Sequence, residues 1–525
     1  MPASIPELIE QSAERHGDKA AFRYGADELS YATLVERSHQ LANALRANGV
    51  RPGDLVGILM GKAIENALAV FGIMAAGAAY VPLDPAAPVS RLEQIAKSCR
   101  LRHFVIDPGR AGRAGKLCRA IGEPCYVYGV DGLDAPMAVS ASWGEIATEP
   151  TSTPVAPRSA DDVAYLIFTS GSTGAPKGIV HTHGSGSAYA RMAAGLYGLG
   201  PEDRLSNFPP LHFDQSTFDF FSGPLVGATT VIIDKEHQLV PASLSQLIEQ
   251  ERLTIWYSVP LALVQLLLYG VLDERDCSSL RWVIYGGEPF PLKHLKALMD
   301  RWPNARFSNC YGPAETNQCT YHHLEPLTDA AVEADLGVPI GRPCPGMETL
   351  VLDPDDRPVE QGASGELVVS SPTTMRGYWG LDEHDAQTFH ERPSPDGPRR
   401  YYRTGDIVRI GDRGLLEFLG RRDRQIKTRG VRVELDEVEA VLSTHDGVEE
   451  VAVTTANHDE DGLIIVAYVA TGPGVELDAT AVKRHAATRL SKNAVPSAIV
   501  FIDDFPRTTS GKVDYLALAH EGGPL

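Results

Sequence analysis

The sequence predicts an α/β protein that combines a large N-terminal domain of helix-covered β-sheets with a small C-terminal α+β domain. Three observations support this fold class. Short apolar runs alternate with helix-like stretches over roughly the first half of the chain. The character of the sequence changes near Asp423. The 525 residues also exceed the roughly 250–300 residues that a single hydrophobic core can use.

Buried strands are predicted by eight apolar runs, which are LVGILM, YVPL, HFVID, CYVYGV, VAYLIF, TTVIID, TIWYSV and LRWVIYGG. Continuous apolar runs of this length are typical of strands that are covered on both faces. Helical apolar spacing over residues 29–48 begins beside Ser30, which is a suitable N-cap. Residues 67–83 form the longest apolar run, but two glycines and a proline interrupt it. We therefore interpret it as a buried helix followed by a buried strand, and not as a membrane span.

The domain boundary is predicted at Asp423, with residues 1–422 forming the first domain and residues 423–525 forming the second. A polar, basic stretch there precedes the segments VRVELDEVEAVLSTH, EEVAVTTA, LIIVAYVA and AIVFID. These segments predict a compact α+β unit, and about 100 residues is within the normal size of a domain.

Composition excludes several classes of protein. The net charge of −20 argues against binding to nucleic acid or to an anionic membrane, because either would need a basic face. The seven cysteines are scattered and form no CxxC pair, which indicates reduced thiols. The N-terminus lacks the pattern of a signal peptide. We expect a cytoplasmic protein with neither nucleic acid nor membrane as a partner.

A phosphate-binding loop is predicted by FTSGSTGAPKG at residues 168–178, directly after the apolar run VAYLI. Glycines allow backbone N–H groups to approach a phosphate, hydroxyl groups add donors, and Lys177 adds a positive charge. The GxxxxGK[ST] pattern of the Walker A loop is absent.

This loop resembles that of the ANL superfamily, which includes acyl-CoA synthetases, adenylation domains of nonribosomal peptide synthetases and firefly-type luciferases. Five further segments match the family's motifs in order, namely NCYGPAET, GELV, YRTGD, GRRDRQIKTRG and PRTTSGKVDY. The resemblance runs from about residue 168 to the end of the chain. It implies the ANL fold, ATP and Mg²⁺ as cofactors, and a mobile small domain that rotates about Asp423.

The resemblance also implies roles for individual residues in nucleotide binding. Glu315 would hold Mg²⁺, a hard cation suited to carboxylate oxygens. Tyr311 would stack on adenine, and Asp406 would accept both ribose hydroxyls with help from Arg421. The pyrophosphate end would be bound by Thr169, Ser170, Thr173 and Lys177, and Asn309 would lie near the exocyclic amine of adenine. The other residues expected to bind the nucleotide are Gly171, Ser172, Gly174, Gly312 and Thr316.

Lys512, in the SGK triplet, is the strongest single candidate for a catalytic residue. The lysine at this place in the family bridges the substrate carboxylate and the phosphate as charge develops, a role suited to a compact charge on a long stem. The family usually has Asn where this chain has Ser510, a mild departure. In a second pose, residues 427–430 would line the channel for the thiol that accepts the acyl group.

The segment LHFDQSTFDF at residues 211–220 resembles the FDxS motif of amino-acid adenylation domains, in which the aspartate, Asp214 here, pairs with the substrate ammonium. Alignment by motif gives a short, largely neutral pocket. It favours alanine, glycine or serine, with proline close behind because HFDxSxFD also resembles stand-alone prolyl-adenylating enzymes. The expected pocket residues are Asp214, Gln215, Phe218, Tyr257, Ile284, Gly286, Cys310, Gln318 and Cys319, with Lys512 at the carboxylate.

The acceptor is expected to be a free-standing carrier protein, because no segment after Lys512 offers a phosphopantetheine serine. Three alternatives remain. An acyl- or aryl-CoA ligase shares every nucleotide motif, and only Asp214 and its neighbours argue against it. A non-catalytic binding protein is disfavoured by the intact charged residues of the motifs. A zinc protein is suggested by His181, His183 and the His322-His323 pair, but no Cys/His set has ligand spacing.

Overall fold

The computed structural model describes residues 4–135, 137–152, 159–170, 176–334, 337–381, 388–395, 397–458, 462–472, 476–507, 513–515 and 517–518. The chain divides into two compact units. The first contains Met1–Pro85, Ser98–Ile167 and Gly178–Arg422. The second contains Ala86–Lys97, Phe168–Lys177 and Asp423–Leu525, so two short segments from residues 1–422 group with it. A hinge at Asp423 stays a prediction.

The first sheet of the first unit has nine strands among the described residues, in the order β16-β15-β14-β13-β12-β10-β11-β1-β2. Its central pairs are parallel, and antiparallel strands close both edges. The strands are β1 Ala20–Tyr24, β2 Asp27–Ser30, β10 Arg204–Asn207, β11 Thr229–Ile232, β12 Ile255–Ser258, β13 Trp282–Gly286, β14 Arg306–Tyr311, β15 Thr320–His323 and β16 Arg342–Pro343.

The second sheet has eight strands in the described part of the chain, in the order β19-β9-β8-β4-β3-β5-β6-β7. They are β3 Leu55–Leu59, β4 Ala79–Pro82, β5 His103–Ile106, β6 Cys125–Tyr128, β7 Ala138–Ala141, β8 Val163–Thr169, β9 Lys177–Thr182 and β19 Gly377–Tyr378. A third, antiparallel sheet contains β17 Glu348–Leu352, β18 Ser364–Ser370, β20 Phe389–Arg392, β21 Arg399–Ile410 and β22 Leu416–Arg421.

Twelve α-helices of the first unit lie among the described residues, and many of them follow parallel strands in the chain. They are α1 Ile5–His16, α2 Tyr31–Ala47, α3 Glu65–Ala75, α5 Ala111–Ile121, α6 Trp143–Ile146, α7 His183–Leu196, α8 Gly223–Leu225, α9 Lys235–Leu239, α10 Pro241–Gln250, α11 Pro260–Tyr269, α12 Leu292–Arg301 and α13 Asp329–Ala334. No described helix combines the length and the apolar character needed to cross a membrane.

The second unit is a small α+β structure built on the hairpin of β25 and β26, with β27 parallel to β26. Its core lies between this sheet and its helices and contains Val438, Val453 and Val482. The elements are α4 Val89–Ser98, β23 Gln425–Thr428, β24 Val431–Glu434, α14 Leu435–Leu442, β25 Val448–His458, β26 Gly462–Thr471, α15 Ala479–Ala487 and β27 Ala498–Phe501.

The structure confirms the predicted fold class and most of the predicted elements. Each of the eight apolar runs contains a strand. The Ser30 hydroxyl accepts a hydrogen bond from the Thr33 amide, so Ser30 is the N-cap of α2. The apolar run at residues 67–83 lies in the buried helix α3 and the buried strand β4, as its interrupting glycines and proline suggested.

Candidate active site

The carboxyl edge of the first sheet gathers many of the candidate residues. Strands β10, β12, β13 and β14 are parallel and therefore end at the same edge. Tyr257 lies in β12, Ile284 and Gly286 lie in β13, and Cys310 and Tyr311 lie in β14. Ligands of open α/β sheets bind outside the carboxyl ends of parallel strands, so this edge is the candidate site.

Asp406 is held between two donors at the candidate ribose position. It faces Arg421 across β21 and β22, and Arg421 Nη1 donates to Asp406 Oδ1 at 2.5 Å. The hydroxyl of Tyr311 donates to Oδ2 of the same carboxylate. Burial, followed by the charge of Asp406, holds the pKa of Tyr311 well above its usual value. Asn309 donates to the Pro339 carbonyl at 3.0 Å. A carboxylate has about four acceptor positions, so Asp406 can accept further hydroxyl donors.

The turn after Tyr311 requires glycine at its first position. A Cβ on Gly312 would lie 1.6 Å from the carbonyl oxygen of Asn317, because the turn folds back onto its own start. Asn317 occupies the left-handed region with φ 53°, which asparagine tolerates better than most residues. The Thr316 hydroxyl donates to the Pro313 carbonyl at 3.3 Å and stabilises the same turn.

Glu315 is a fully buried carboxylate at the candidate metal position. The Tyr378 hydroxyl donates to its Oε1 at 2.8 Å, and the Met375 amide donates to its carbonyl at 2.7 Å. The preceding Ala314 carbonyl is bonded by His181 Nε2 at 2.9 Å. No cluster of three or more His, Cys, Asp or Glu side chains suited to a metal exists among the described residues. One oriented carboxylate fits Mg²⁺, which usually binds through one or two carboxylates together with substrate phosphates.

The described ends of the phosphate-loop motif belong to the second unit. Thr169 ends β8, and Lys177 begins β9. The Ser170 hydroxyl donates to the Arg432 carbonyl at 3.0 Å. The remaining candidates, Gly171, Ser172, Thr173, Gly174 and Lys512, lie outside the described residues.

The candidate amino-acid pocket has an aromatic wall. Phe218 is fully buried and packs edge-on against Tyr257, with ring centroids 5.3 Å apart. Tyr197 packs edge-on against Phe218 from another side. Ile284 and Cys310 belong to the same buried cluster, and the Cys310 thiol contacts the Tyr257 hydroxyl at 3.2 Å. The structure therefore brings together four of the predicted pocket residues and adds Tyr197.

Asp214 and Gln215 lie on an irregular loop between β10 and the buried π-helical turn Phe218–Ser222, and both are half-buried. The Thr217 hydroxyl donates to the Asp214 carbonyl at 2.6 Å. Gln318 is buried, and its amide donates to the Tyr197 hydroxyl at 2.9 Å. This bond links Gln318 to the aromatic wall, where the sequence had placed it.

Two further pocket candidates have structural roles. A Cβ on Gly286 would lie 2.2 Å from the Cys310 carbonyl oxygen, so glycine permits the close pairing of β13 and β14. Cys319 is fully buried in a different cluster, together with Tyr311 and Val351, and not in the cluster around Phe218. The structure does not bring Cys319 to the aromatic wall.

Three site residues are missing from the sequence-based set, namely Tyr197, Tyr378 and His181. Tyr378 and His181 lie a short distance after recognised motifs in the sequence, which was a weak indication that they belong to the site. Tyr197 ends a helix far from any motif, and no sequence signal connects it to Phe218 or Gln318.

The buried ring of His181 should make the stability of the first unit sensitive to acid. Its ring is buried, stacks on Tyr165 at 4.8 Å, and has a pKa lowered by burial to about 4. The unfolded chain binds this proton near pH 6.5, so the free energy of unfolding should fall as the pH drops from about 6.5 toward 4. Between pH 7.5 and 5 the loss should be about 2 kcal/mol larger in the wild type than in His181→Gln.

Urea denaturation followed by tryptophan fluorescence measures this difference. All five tryptophans lie in the first unit, so the signal reports the unit that contains His181. Equal pH dependence in the wild type and His181→Gln would contradict the assignment of the acid sensitivity to this ring.

The fold is that of an adenylate-forming enzyme of the ANL type. The AMP-binding enzyme family matches residues 9–379, and the AMP-binding enzyme C-terminal domain matches residues 437–512. The chain belongs to the AMP-binding enzyme family and is a ligase that uses ATP.

Relatives of full length support this membership. An L-proline--[L-prolyl-carrier protein] ligase from Pseudomonas fluorescens is 35% identical over 98% of this chain and 99% of its own. A protein of the same name from Streptomyces coelicolor is 33% identical over 100% of this chain and 98% of its own. Among solved structures, the amide bond synthetase McbA from Marinactinospora thermotolerans is 27% identical, with a TM-score of 0.87 over 99% of both chains.

Proposed function

We propose that this ligase activates a small neutral α-amino acid as an aminoacyl-adenylate and transfers the aminoacyl group to the phosphopantetheine thiol of a separate carrier protein. Alanine, glycine and serine are the first candidates. Proline is the second, and the names of two full-length relatives support it. The observation that carries the proposal is Asp214 on the loop that leaves the carboxyl end of β10.

Asp214 provides the charge that distinguishes an amino acid from a plain carboxylic acid. Its carboxylate would pair with the substrate ammonium as the substrate covers the half-buried loop. A carboxylate that becomes buried without a cation costs about 3–5 kcal/mol. Binding of a fatty or aryl acid, which has no ammonium, is therefore disfavoured.

The aromatic wall limits the size of the substrate side chain. Phe218, Tyr257 and Tyr197 pack against one another in a buried cluster of apolar and aromatic side chains. These three rings offer no positive charge to an acidic substrate side chain, and a long side chain would have to displace them. One methylene changes binding by only about 1–3 kcal/mol, so we expect some overlap among the small amino acids.

The nucleotide half of the site would catalyse adenylation by orienting charge. The substrate carboxylate attacks the α-phosphorus of ATP, and pyrophosphate leaves. Asp406 would bind the ribose hydroxyls, Tyr311 would stack on adenine, and Thr169 and Lys177 would bind the pyrophosphate end. Glu315 would hold Mg²⁺, which neutralises the phosphate oxygens. Fixed cations and donors at such positions are an effective way to stabilise a phosphoryl transition state.

The second half-reaction forms the thioester. The carrier thiolate attacks the carbonyl carbon of the adenylate, AMP leaves, and the thiol proton passes to solvent. Lys512 would serve the first half-reaction, and rotation about Asp423 would then admit the thiol; gating of this kind is a recognised mechanism. A cytoplasmic location suits the use of ATP, and the seven cysteines, none of which forms a disulfide bond, are consistent with it.

A comparison of thiol acceptors tests the carrier assignment. The purified enzyme, with ATP, Mg²⁺ and its preferred amino acid, should acylate pantetheine and CoA with kcat/KM values within about threefold of each other. The reason is that the proposed acceptor site recognises the pantetheine arm alone. The rate is measured as thioester formed, by mass spectrometry.

The acceptor comparison also contains the result that would reject the assignment. A preference for CoA of more than tenfold would indicate that the enzyme recognises the nucleotide portion of CoA, and would place it among the acyl-CoA ligases.

A further inference from the structure

Lys62 lies at the carboxyl end of β3 in the second sheet and reaches a strand of the first sheet. Its ammonium donates to the Asn207 carbonyl at 2.8 Å, to Asn207 Oδ1 at 2.5 Å and to the Pro209 carbonyl at 2.5 Å. A lysine ammonium has three N–H donors, and these three acceptors use all of them. All three N–H donors of Lys62 are therefore used within the protein and none remains for a substrate, which indicates a structural role.

The acceptors of Lys62 mark the start of the loop that carries Asp214. Asn207 ends β10, and Pro209 lies two residues further on. The carbonyl groups of Asn207 and Pro209, on either side of Phe208, therefore both accept from the Lys62 ammonium. Asn207 is 1% exposed, so its side-chain amide needs partners inside the protein. Lys62 satisfies its oxygen.

The nitrogen of the same amide extends the network to the other end of the loop. Asn207 Nδ2 donates to Asp219 Oδ2 at 3.1 Å. Asp219 is fully buried in the turn that follows the loop, and the Thr230 hydroxyl donates to its carbonyl at 2.8 Å. Lys62, Asn207 and Asp219 therefore tie together the two ends of the loop, which are separated by the whole FDQST segment.

Lys62 and Asp219 also interact electrostatically. Burial raises the pKa of Asp219 well above its usual value, and Asn207 and the charge of Lys62 act against this shift. Burial lowers the pKa of Lys62 to about 7, and Asp219 opposes that shift in turn. Each group offsets part of the pKa shift that burial causes in the other, as expected for opposite charges.

Hydrogen bonds within the loop connect its residues to one another. The Ser216 hydroxyl donates to the carbonyls of Leu211 at 3.1 Å and Phe213 at 2.7 Å. The Thr217 hydroxyl donates to the Asp214 carbonyl at 2.6 Å. A shift at either end of such a loop is transmitted to the position of Asp214.

We propose that Lys62 is a positioning residue for the amino-acid ammonium site, because its contacts with Asn207 and Pro209 fix the loop that presents Asp214. The inference rests on the proposed recognition of the substrate ammonium by Asp214. Lys62 contacts neither substrate nor nucleotide in this account. Its loss changes how well the amino acid binds, and it leaves the chemistry of adenylation unchanged.

Lys62→Met tests this role in amino-acid-dependent ATP–pyrophosphate exchange. The KM for the amino acid should rise at least tenfold, whereas the KM for ATP and the rate at saturating amino acid should stay within threefold. Lys62→Gln keeps a shorter, neutral donor, so it should show a smaller rise and serves if Lys62→Met does not fold. The matched control is Lys19→Met, which removes another half-buried lysine whose pKa is lowered by burial and which should keep wild-type constants.

A double-mutant cycle separates positioning from general damage. In an Asp214→Ala background, the loss of kcat/KM caused by Lys62→Met should shrink to less than twofold, because the group that Lys62 positions is already gone. An equal loss in both backgrounds, an unchanged KM in Lys62→Met, or a fall in the saturating rate alone would overturn the inference. If the wild type activates only acids without an amine and Asp214→Ala has no effect, the proposed function fails and this inference fails with it.

Discussion

Lys512→Ala is expected to lower amino-acid-dependent ATP–pyrophosphate exchange by about 10²–10³-fold, the loss typical of removing one preorganised group that stabilises a transition state. The reason is electrostatic. As the carboxylate attacks the α-phosphorus, two negatively charged groups approach and charge builds on the phosphoryl oxygens. The single ammonium of Lys512 is proposed to neutralise both.

The second half-reaction provides the internal control for this variant. Lys512→Ala supplied with a synthetic aminoacyl-adenylate should transfer the aminoacyl group to pantetheine within threefold of the wild-type rate, because the thioester step does not need this lysine. Lys492→Ala removes an exposed lysine from the same unit and should leave both half-reactions unchanged. Exchange that survives in Lys512→Ala, or equal losses in both half-reactions, would contradict the assigned role.

Asp214→Ala is expected to lower kcat/KM for the amino acid by about 10²–10³-fold, in line with the roughly 3–5 kcal/mol cost of leaving one partner of a buried ion pair alone. Asp214→Asn should show a similar loss, because it keeps the size of the side chain and removes only the charge. Measurement of exchange kinetics with both variants tests whether the charge, and not the volume, of Asp214 is recognised.

A substrate without the ammonium gives the matched comparison for Asp214. The 2-hydroxy acid that corresponds to the preferred amino acid should be a poor substrate for the wild type, and its kcat/KM should change less than threefold in Asp214→Asn. If the amino acid and the hydroxy acid lose activity equally, Asp214 supports the loop and does not pair with the ammonium.

The sequence predicted much of the fold because the strands are buried on both faces. A parallel strand covered by helices must be apolar throughout, so runs such as VAYLIF and TIWYSV carry a clear signal. The glycine at position 312 has a steric explanation, because a Cβ there would clash with the Asn317 carbonyl. Residues 391–400 carry a weaker signal, because their prolines and charges are typical of a surface connection, whereas their ends lie in the paired strands β20 and β21.

The side-chain hydrogen bonds of the site could not be predicted from the sequence, because they join residues that are far apart along the chain. Lys62 and Asn207 are 145 residues apart, and Tyr197 and Gln318 are 121 apart. The apolar periodicity of a local segment contains no information about such a distant pair. Cys319 shows the converse problem. Motif alignment predicted it as a pocket residue, but Cys319 lies in the irregular segment just before β15 and packs with Tyr311 and Val351.

ATP–pyrophosphate exchange with the purified wild-type enzyme shows whether it activates a small neutral amino acid. The panel contains the twenty amino acids together with short fatty and aryl acids. We expect exchange with alanine, glycine, serine or proline, and little or none with acids that lack an α-amine. Exchange supported only by fatty or aryl acids would contradict it and would place the enzyme in the CoA-ligase branch of the family.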